Sequence, residues 1–194
     1  MGGVPEPEDL DADIFRPRFE AAFDAHHAHV LAFALRRVNE RATAEDVVSE
    51  TFAIVWQKRD LIPDEPLPWI YAIARRVIAN QRRSEGRRGR LRERISGEAA
   101  VAVAFDVSAV VDTRTEIATA FATLSATDQE VLRLVAWDDL SAAEGARVLD
   151  CTPAAFRVRL HRARRALRHA LDEAAPTREF RPVAQPRNTA QEAR

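Results

Sequence analysis

An all-α chain of two small helical domains joined by a flexible linker is the architecture this sequence predicts, and three observations predict it. Apolar residues recur at helical spacing through most of the chain, no alternating strand pattern stands out, and only 6 of 194 residues are glycine. The stretch 84–113 loses the periodicity, and a compact domain seldom holds a structureless loop of that length. The expected layout is an acidic, disordered segment at 1–14, a first domain at 15–83, the linker at 84–113, a second domain at 114–171 and a flexible tail at 172–194.

Composition narrows the possibilities. The formal net charge of −1 conceals strong local asymmetry, so it does not argue against a polyanionic partner. One cysteine excludes an intramolecular disulfide and leaves too few thiols for a zinc-thiolate site. No apolar run approaches the ~18 residues of a transmembrane helix, and the N-terminus lacks a basic-then-apolar signal. A soluble cytoplasmic protein with no direct membrane insertion is the expectation.

The first 14 residues carry Glu6, Glu8, Asp9, Asp11 and Asp13 and no basic side chain, the composition of a solvated lead-in. From about Phe19, the residues Phe23, Val30, Phe33, Leu35 and Val38 mark one face of a helix running to Asn39. His26, His27 and His29 lie on it. Without further His or Cys nearby they read as partly solvated helix histidines rather than a metal site.

The next helix opens at Thr43, with Asp46 at the capping-box position. Val47, Val48, Thr51, Phe52, Val55 and Trp56 form a wide apolar stripe, and Glu45, Asp46, Glu50 and Gln57 occupy the outer face. Acidic residues in a first turn complement the helix dipole, and they equally suit a basic partner; the residues alone leave both explanations standing.

Pro63, Pro66 and Pro68 make 59–68 a loop, after which WIYAIARRVIANQRR resumes the helix at Trp69. Trp69, Ile70, Ile73, Ala74, Val77 and Ile78 repeat the stripe. Tyr71, Arg75, Arg76, Asn80, Arg82 and Arg83 are left outside. Rings that stack on unpaired bases, followed by guanidiniums that follow phosphates, are equipment for single-stranded DNA. Part of the Trp69 ring is expected in the core, and Tyr71 less so.

The second domain begins near Thr115. Ser125, with Asp128 three residues on, caps a helix holding Val131, Leu132, Leu134, Val135 and Trp137. Ser141 and Glu144 open a short helix, Asp150-Cys151-Thr152 breaks it, and Thr152 and Pro153 start a longer one. In that last helix Phe156, Leu160, Ala163 and Leu167 supply a face to bury. Six arginines surround it, and no Asp or Glu occurs from Cys151 to Leu171. A solvated helix usually mixes charge signs for i,i+4 pairs, so this asymmetry suits a polyanion. A short helix, a tight turn and a basic second helix make a helix-turn-helix, whose second helix enters the major groove. Cys151, in the turn, reads as a small packing residue rather than a redox switch.

The segments TAEDVVSETFAIVWQKRD and PWIYAIARRVIANQRR, followed by LSATDQEVLRLVAWDDLSAAEGARVLDCTPAAFRVRLHRARRAL, resemble region 2 and region 4 of the extracytoplasmic-function (ECF) group of bacterial sigma factors. One departure is Gly145, where the family usually carries a larger apolar residue; a glycine there is expected to loosen its helix by about 1 kcal/mol. The resemblance implies that Glu45, Asp46, Glu50 and Gln57 bind core RNA polymerase. It implies that Asp64, Glu65 and Leu67 belong to a loop with a pocket for a flipped −10 base. Trp69, Tyr71, Arg75, Arg76, Asn80, Arg82 and Arg83 then form the strand-binding face. For the −35 duplex it implies Thr152, Ala154, Ala155, Arg157, Arg159, His161, Arg162 and Arg165, with Ala154, Ala155 and Arg157 nearest base edges and Arg159, Arg162 and Arg165 mostly on phosphates. The partners implied are the bacterial RNA polymerase core, promoter DNA and an anti-sigma factor. Elements two helical turns apart are roughly 70 Å from each other, and a linker of ~30 residues extends to about 100 Å.

Two other readings differ in class. A stand-alone helix-turn-helix regulator needs an apolar pocket or dimer seam in the first domain, where the arginine-bearing WIYAIARR helix stands instead. A nucleic-acid enzyme needs a carboxylate cluster, a Cys/His ligand set or a phosphate-binding glycine loop, and none is present in the sequence. No catalytic residue, cofactor or metal is expected.

Overall fold

A computed structural model describes residues 7–96 and 112–174, with side chains described for 14–84 and 116–173. Helix α1 spans Pro7–Leu35. The segment expected to be disordered at 1–14 is therefore helical from Pro7 onward, while 1–6 lie outside the described residues. Local chemistry favours this start. Proline at the first helical position lacks only an N–H that has no intrahelical partner anyway. The helix ends earlier than Asn39. Val38 N–H donates to the Ala34 carbonyl at 3.0 Å, and the Arg82 guanidinium donates to the Arg37 carbonyl just beyond the helix.

Helix α2 spans Arg41–Gln57 and starts two residues before Thr43, with Glu40 as an N-cap whose side chain makes no capping bond. The expected Thr43/Asp46 capping box is thus not formed. Ala44, Val47, Val48, Thr51, Phe52 and Val55 are buried, as the stripe requires. Trp56 is half-buried: Phe19 meets it edge-on at 5.0 Å, and Arg59 lies 4.8 Å from its ring centre.

After a 3-10 turn at Arg59–Leu61, helix α3 runs from Leu67 to Ser96. The basic run expected to begin the linker at 84 continues this helix. Arginine and glutamate are good helix formers, and extending an existing helix needs no new nucleus. The rest of the expected linker, 97–111, lies outside the described residues, as does the expected tail from 175; Asp172 to Ala174 belong to the last helix.

The second half comprises α4 (Asp112–Thr123), α5 (Ala126–Ala136), α6 (Ala142–Val148) and α7 (Pro153–Ala174). The expected caps are in place. Asp128 N–H donates to the Ser125 hydroxyl at 3.1 Å, and Ala155 N–H donates to the Thr152 hydroxyl at 3.1 Å. Ser141 and Glu144 form a reciprocal capping box, N–H to carboxylate at 2.8 Å and N–H to hydroxyl at 3.3 Å. Asp139 and Asp150 adopt φ of 51° and 52°, a left-handed conformation that aspartate tolerates better than most residues.

No strand occurs among the described residues. α1, α2 and α3 pack on one another, and α4, α5 and α6 gather around α7. The halves are also joined: α3 packs against α6, and one buried cluster runs from Val30, Phe33 and Ile70 to Val131, Leu140 and Phe156. The two helical groups share a core across their boundary.

Candidate nucleic-acid and partner interfaces

Burial of the α2 stripe forces its acidic residues outward. Glu45, Asp46, Glu50 and Gln57 are all exposed. Glu45 accepts from Arg41 at 2.8 Å, an exposed i,i+4 pair of the kind that contributes little to stability.

The loop before α3 is tethered at both of its acidic residues. Arg18 of α1 donates to Asp64 at 2.7 Å, and Arg147 of α6 donates to Glu65 at 3.2 Å. Leu67 and Trp69 are half-buried against the core. Arg75, Arg76, Asn80, Arg82 and Arg83 are exposed along α3, with Arg83 donating to Asn80.

Tyr71 departs from its expected place. It is 1% exposed, and its ring stacks on Phe33 at 4.4 Å with 17° between planes. Burial, and after it the Asp138 carboxylate, push its phenol up to about 12. It faces the core together with Ile70 and Ala74, so Trp69 is the more exposed of the two aromatics. The reason is the width of the buried stripe, which takes in adjacent positions at each turn.

On α7, Arg157, Arg159, His161, Arg162 and Arg165 are exposed, as are Thr152 and Ala154, while Ala155 is half-buried. Phe156 and Ala163 are fully buried beneath them. Cys151 is a half-buried free thiol whose backbone N–H donates to the Ala146 carbonyl at 3.0 Å.

Arg159 of α7 joins the arginines of α3 at one cleft. A cleft of about 580 Å³ between the halves is lined by Arg37, Arg75, Arg76, Arg82, Arg83 and Arg159, with Glu130 as its only carboxylate. At its edge, Arg37 donates to Asp138 at 2.8 Å and to both Glu130 oxygens at 3.0 and 3.1 Å, and Arg36 donates to the other Asp138 oxygen. The pairing of Arg36 and Arg37 with Asp138 was not foreseen from the sequence. Apart from the bare charges, no spacing rule links residues that far apart.

Among the described residues no group of three or more His, Cys, Asp or Glu is placed to hold a metal ion. His26 and His29 have ring centres 6.1 Å apart, and burial, with His29 second, lowers the His26 pKa. None of the described helices is long and apolar enough to cross a membrane.

Comparison with known proteins gives a consistent result. The Sigma-70 region 2 family matches residues 22–88, and the Sigma-70, region 4 family matches residues 114–167. The ECF RNA polymerase sigma factor SigL of Mycobacterium tuberculosis is 36% identical over 166 residues, covering 81% of this chain and 91% of that protein. Among solved structures, the sigma factor RpoE of Bartonella quintana, in complex with the anti-sigma factor NepR, aligns with a TM-score of 0.60 and 24% identity, over 80% of this chain and 97% of that one. CnrH in complex with the cytosolic domain of CnrY aligns with a TM-score of 0.56 and 21% identity, over 85% and 94% of the two chains. At these identities the two structures establish a shared fold.

Proposed function

The chain belongs to the ECF group of sigma-70 RNA polymerase sigma factors, and from that membership we propose how its surfaces divide the work. As a sigma factor it binds core RNA polymerase, recognises −10 and −35 promoter elements and promotes transcription initiation at a specific regulon. The stand-alone regulator is not favoured. In our reading the chain itself catalyses no reaction and works in the cytoplasm.

The exposed acidic face of α2, centred on Asp46 and Glu50, docks on polymerase. The domain at 15–83 engages the −10 element: Asp64, Glu65 and Leu67 shape the base pocket, and Trp69, Arg75, Arg76, Asn80, Arg82 and Arg83 hold the separated strand. The domain at 114–171 reads the −35 duplex through α7, with Ala154, Ala155 and Arg157 towards base edges. Thr152, Arg159, His161, Arg162 and Arg165 hold the backbone. One observation carries this division: acidic side chains collect on exposed α2, while the outward faces of α3 and α7 present arginines. An anti-sigma factor is the further partner we propose, since the structurally similar RpoE of Bartonella quintana was solved in complex with the anti-sigma factor NepR.

Promoter elements roughly 70 Å apart cannot be reached while α3 and α7 line one cleft, so promoter engagement separates the two halves. The test of the division is run-off transcription with purified bacterial core polymerase on the fragment upstream of this chain's own coding region, with core binding assayed in the same tubes. A discrete transcript that depends on the protein and is lost with Asp46→Arg is the expected result. Normal transcription from Asp46→Arg would sink the docking assignment.

A further inference from the structure

Val158 is the large apolar side chain of α7 that stands in solvent, 53% exposed, among the described residues of that helix. Its position follows from the packing. Phe156 and Ala163 are buried and Leu160 and Leu167 half-buried, and Val158 lies about 170° around the helix from the middle of that stripe. Ala154, one turn earlier, shares the outward face, as do His161 and Arg162 one turn later. Arg157 and Arg159 flank it on either side, both exposed.

Guanidiniums along such a helix need only phosphates as partners. A branched alkyl group at the centre of the same face has no use for a phosphate. Valine is also a poorer helix former than the alanine or arginine that occupy most neighbouring positions, so local stability gives no reason for it. A single exposed apolar residue is ordinary on a protein surface. What sets this one apart is its place at the crest of the basic second helix of the helix-turn-helix, between Arg157, which faces base edges in our reading, and Arg159, which holds the backbone.

In the floor of the major groove one base feature is apolar: the C5 methyl of thymine. We propose that Val158 is a specificity-determining residue that reads a thymine methyl in the upstream promoter element. Its isopropyl group covers the methyl, while Arg159 and Arg162 hold the backbone and fix the helix in the groove. The proposal rests on α7 being the duplex-reading helix. It adds a residue that the family resemblance did not assign, and it sets a requirement on the DNA: a thymine, on either strand, opposite the first two turns of α7.

The experiment uses holoenzyme reconstituted from the full chain and bacterial core polymerase, offered a pool of promoter fragments randomised over the upstream element. Each thymine of the selected element is then replaced singly by deoxyuridine, which removes the methyl and leaves the pairing edge unchanged. Wild-type holoenzyme is expected to lose about fourfold in affinity at one thymine, the size of one methyl contact. Val158→Ala is expected to bind the thymine and deoxyuridine fragments equally, and Val158→Ser likewise, because neither side chain reaches the methyl. Equal sensitivity in wild type and Val158→Ala overturns the proposal, as does an element without thymine, or indifference of the wild type to every replacement. Selection of no preferred upstream element is a separate failure: it strikes the reading of α7 itself and takes the proposal with it.

Discussion

Arg37, just past the end of α1, and Asp138, in the turn before α6, form an ion pair of 2.8 Å whose side chains are 3% and 0% exposed. The pair joins the two halves of the chain. Arg37 is further held by Glu130, by the Phe33 carbonyl at 3.0 Å and by the Phe33 ring beneath its guanidinium, while Arg36 shares the Asp138 carboxylate. Such a buried pair adds little net stability over an apolar substitute, but it fixes one docking geometry, because any other leaves a charge unsatisfied.

Removing Asp138 should therefore part the halves. Asp138→Ala leaves Arg36 and Arg37 side by side without the shared carboxylate, and loss of one partner of a buried pair destabilises by about 3–5 kcal/mol. Labels placed at exposed Ala53 and Ala143, in a Cys151→Ser background, report the separation. A longer and broader distance distribution is expected. An unchanged one would assign the docking to the apolar core that the halves share.

Gly145 lies where the family usually carries a larger residue, and the structure supplies a reason. A Cβ there would sit 3.1 Å from Cε1 of Phe156 and closer still to Cζ and Cε2. The ring of Phe156 occupies the space that a side chain would need. Gly145→Ala gains up to about 1 kcal/mol of helix propensity and loses about 1–3 kcal/mol to overpacking. Net destabilisation in urea unfolding is expected, and Phe156→Leu in the same chain should recover part of it. A more stable Gly145→Ala protein would refute the tight packing.

Tyr71 is the only tyrosine of the chain, so its ionisation can be followed alone by absorbance near 295 nm. Its folded pKa of about 12 stands above the ordinary value of 10.0, so the protonated form is favoured by folding. The contribution is complete below pH 10 and is lost as pH rises towards 12. The phenol should stay protonated at pH 11 in the folded protein and ionise normally in denaturant. Ordinary titration near pH 10 in the folded state would return Tyr71 to the surface.

The capping box of α6 should be sensitive to acid. Hydrogen bonds from the Ser141 hydroxyl and backbone N–H hold the Glu144 carboxyl below its usual 4.5. Its contribution is present above pH 4.5 and lost as pH falls through the depressed value. Ser141→Ala should cost about 1 kcal/mol at pH 7 and flatten the stability profile below pH 4.5. Denaturant midpoints across that range check it; an unflattened profile would place the acid sensitivity elsewhere.

Much of the fold was legible because its causes are local. The Ser125, Ser141 and Thr152 caps, the α2 stripe and the buried Phe156 and Ala163 follow from spacing and short-range hydrogen bonds. Boundaries were less legible where helix propensity and charge compete, as at Pro7–Ile14 and beyond Arg83, where helices run further than the apolar pattern. Tyr71 was misplaced because its chemistry suits a DNA face and periodicity alone does not fix the width of a buried stripe.

The sequence by itself determined the helices, their apolar faces and the separation of acidic α2 from basic α3 and α7, since these depend on residues within a turn or two of one another. It also carried the family resemblance, through the order of two motif-bearing segments. Only the tertiary structure decided that Arg37 meets Asp138, that Phe156 fills the space above Gly145 and that Arg159 of α7 shares a cleft with the α3 arginines. Those are contacts between distant parts of the chain. Their partners are selected by the packing of whole helices, and complementary charge or volume declares itself only once the helices are side by side.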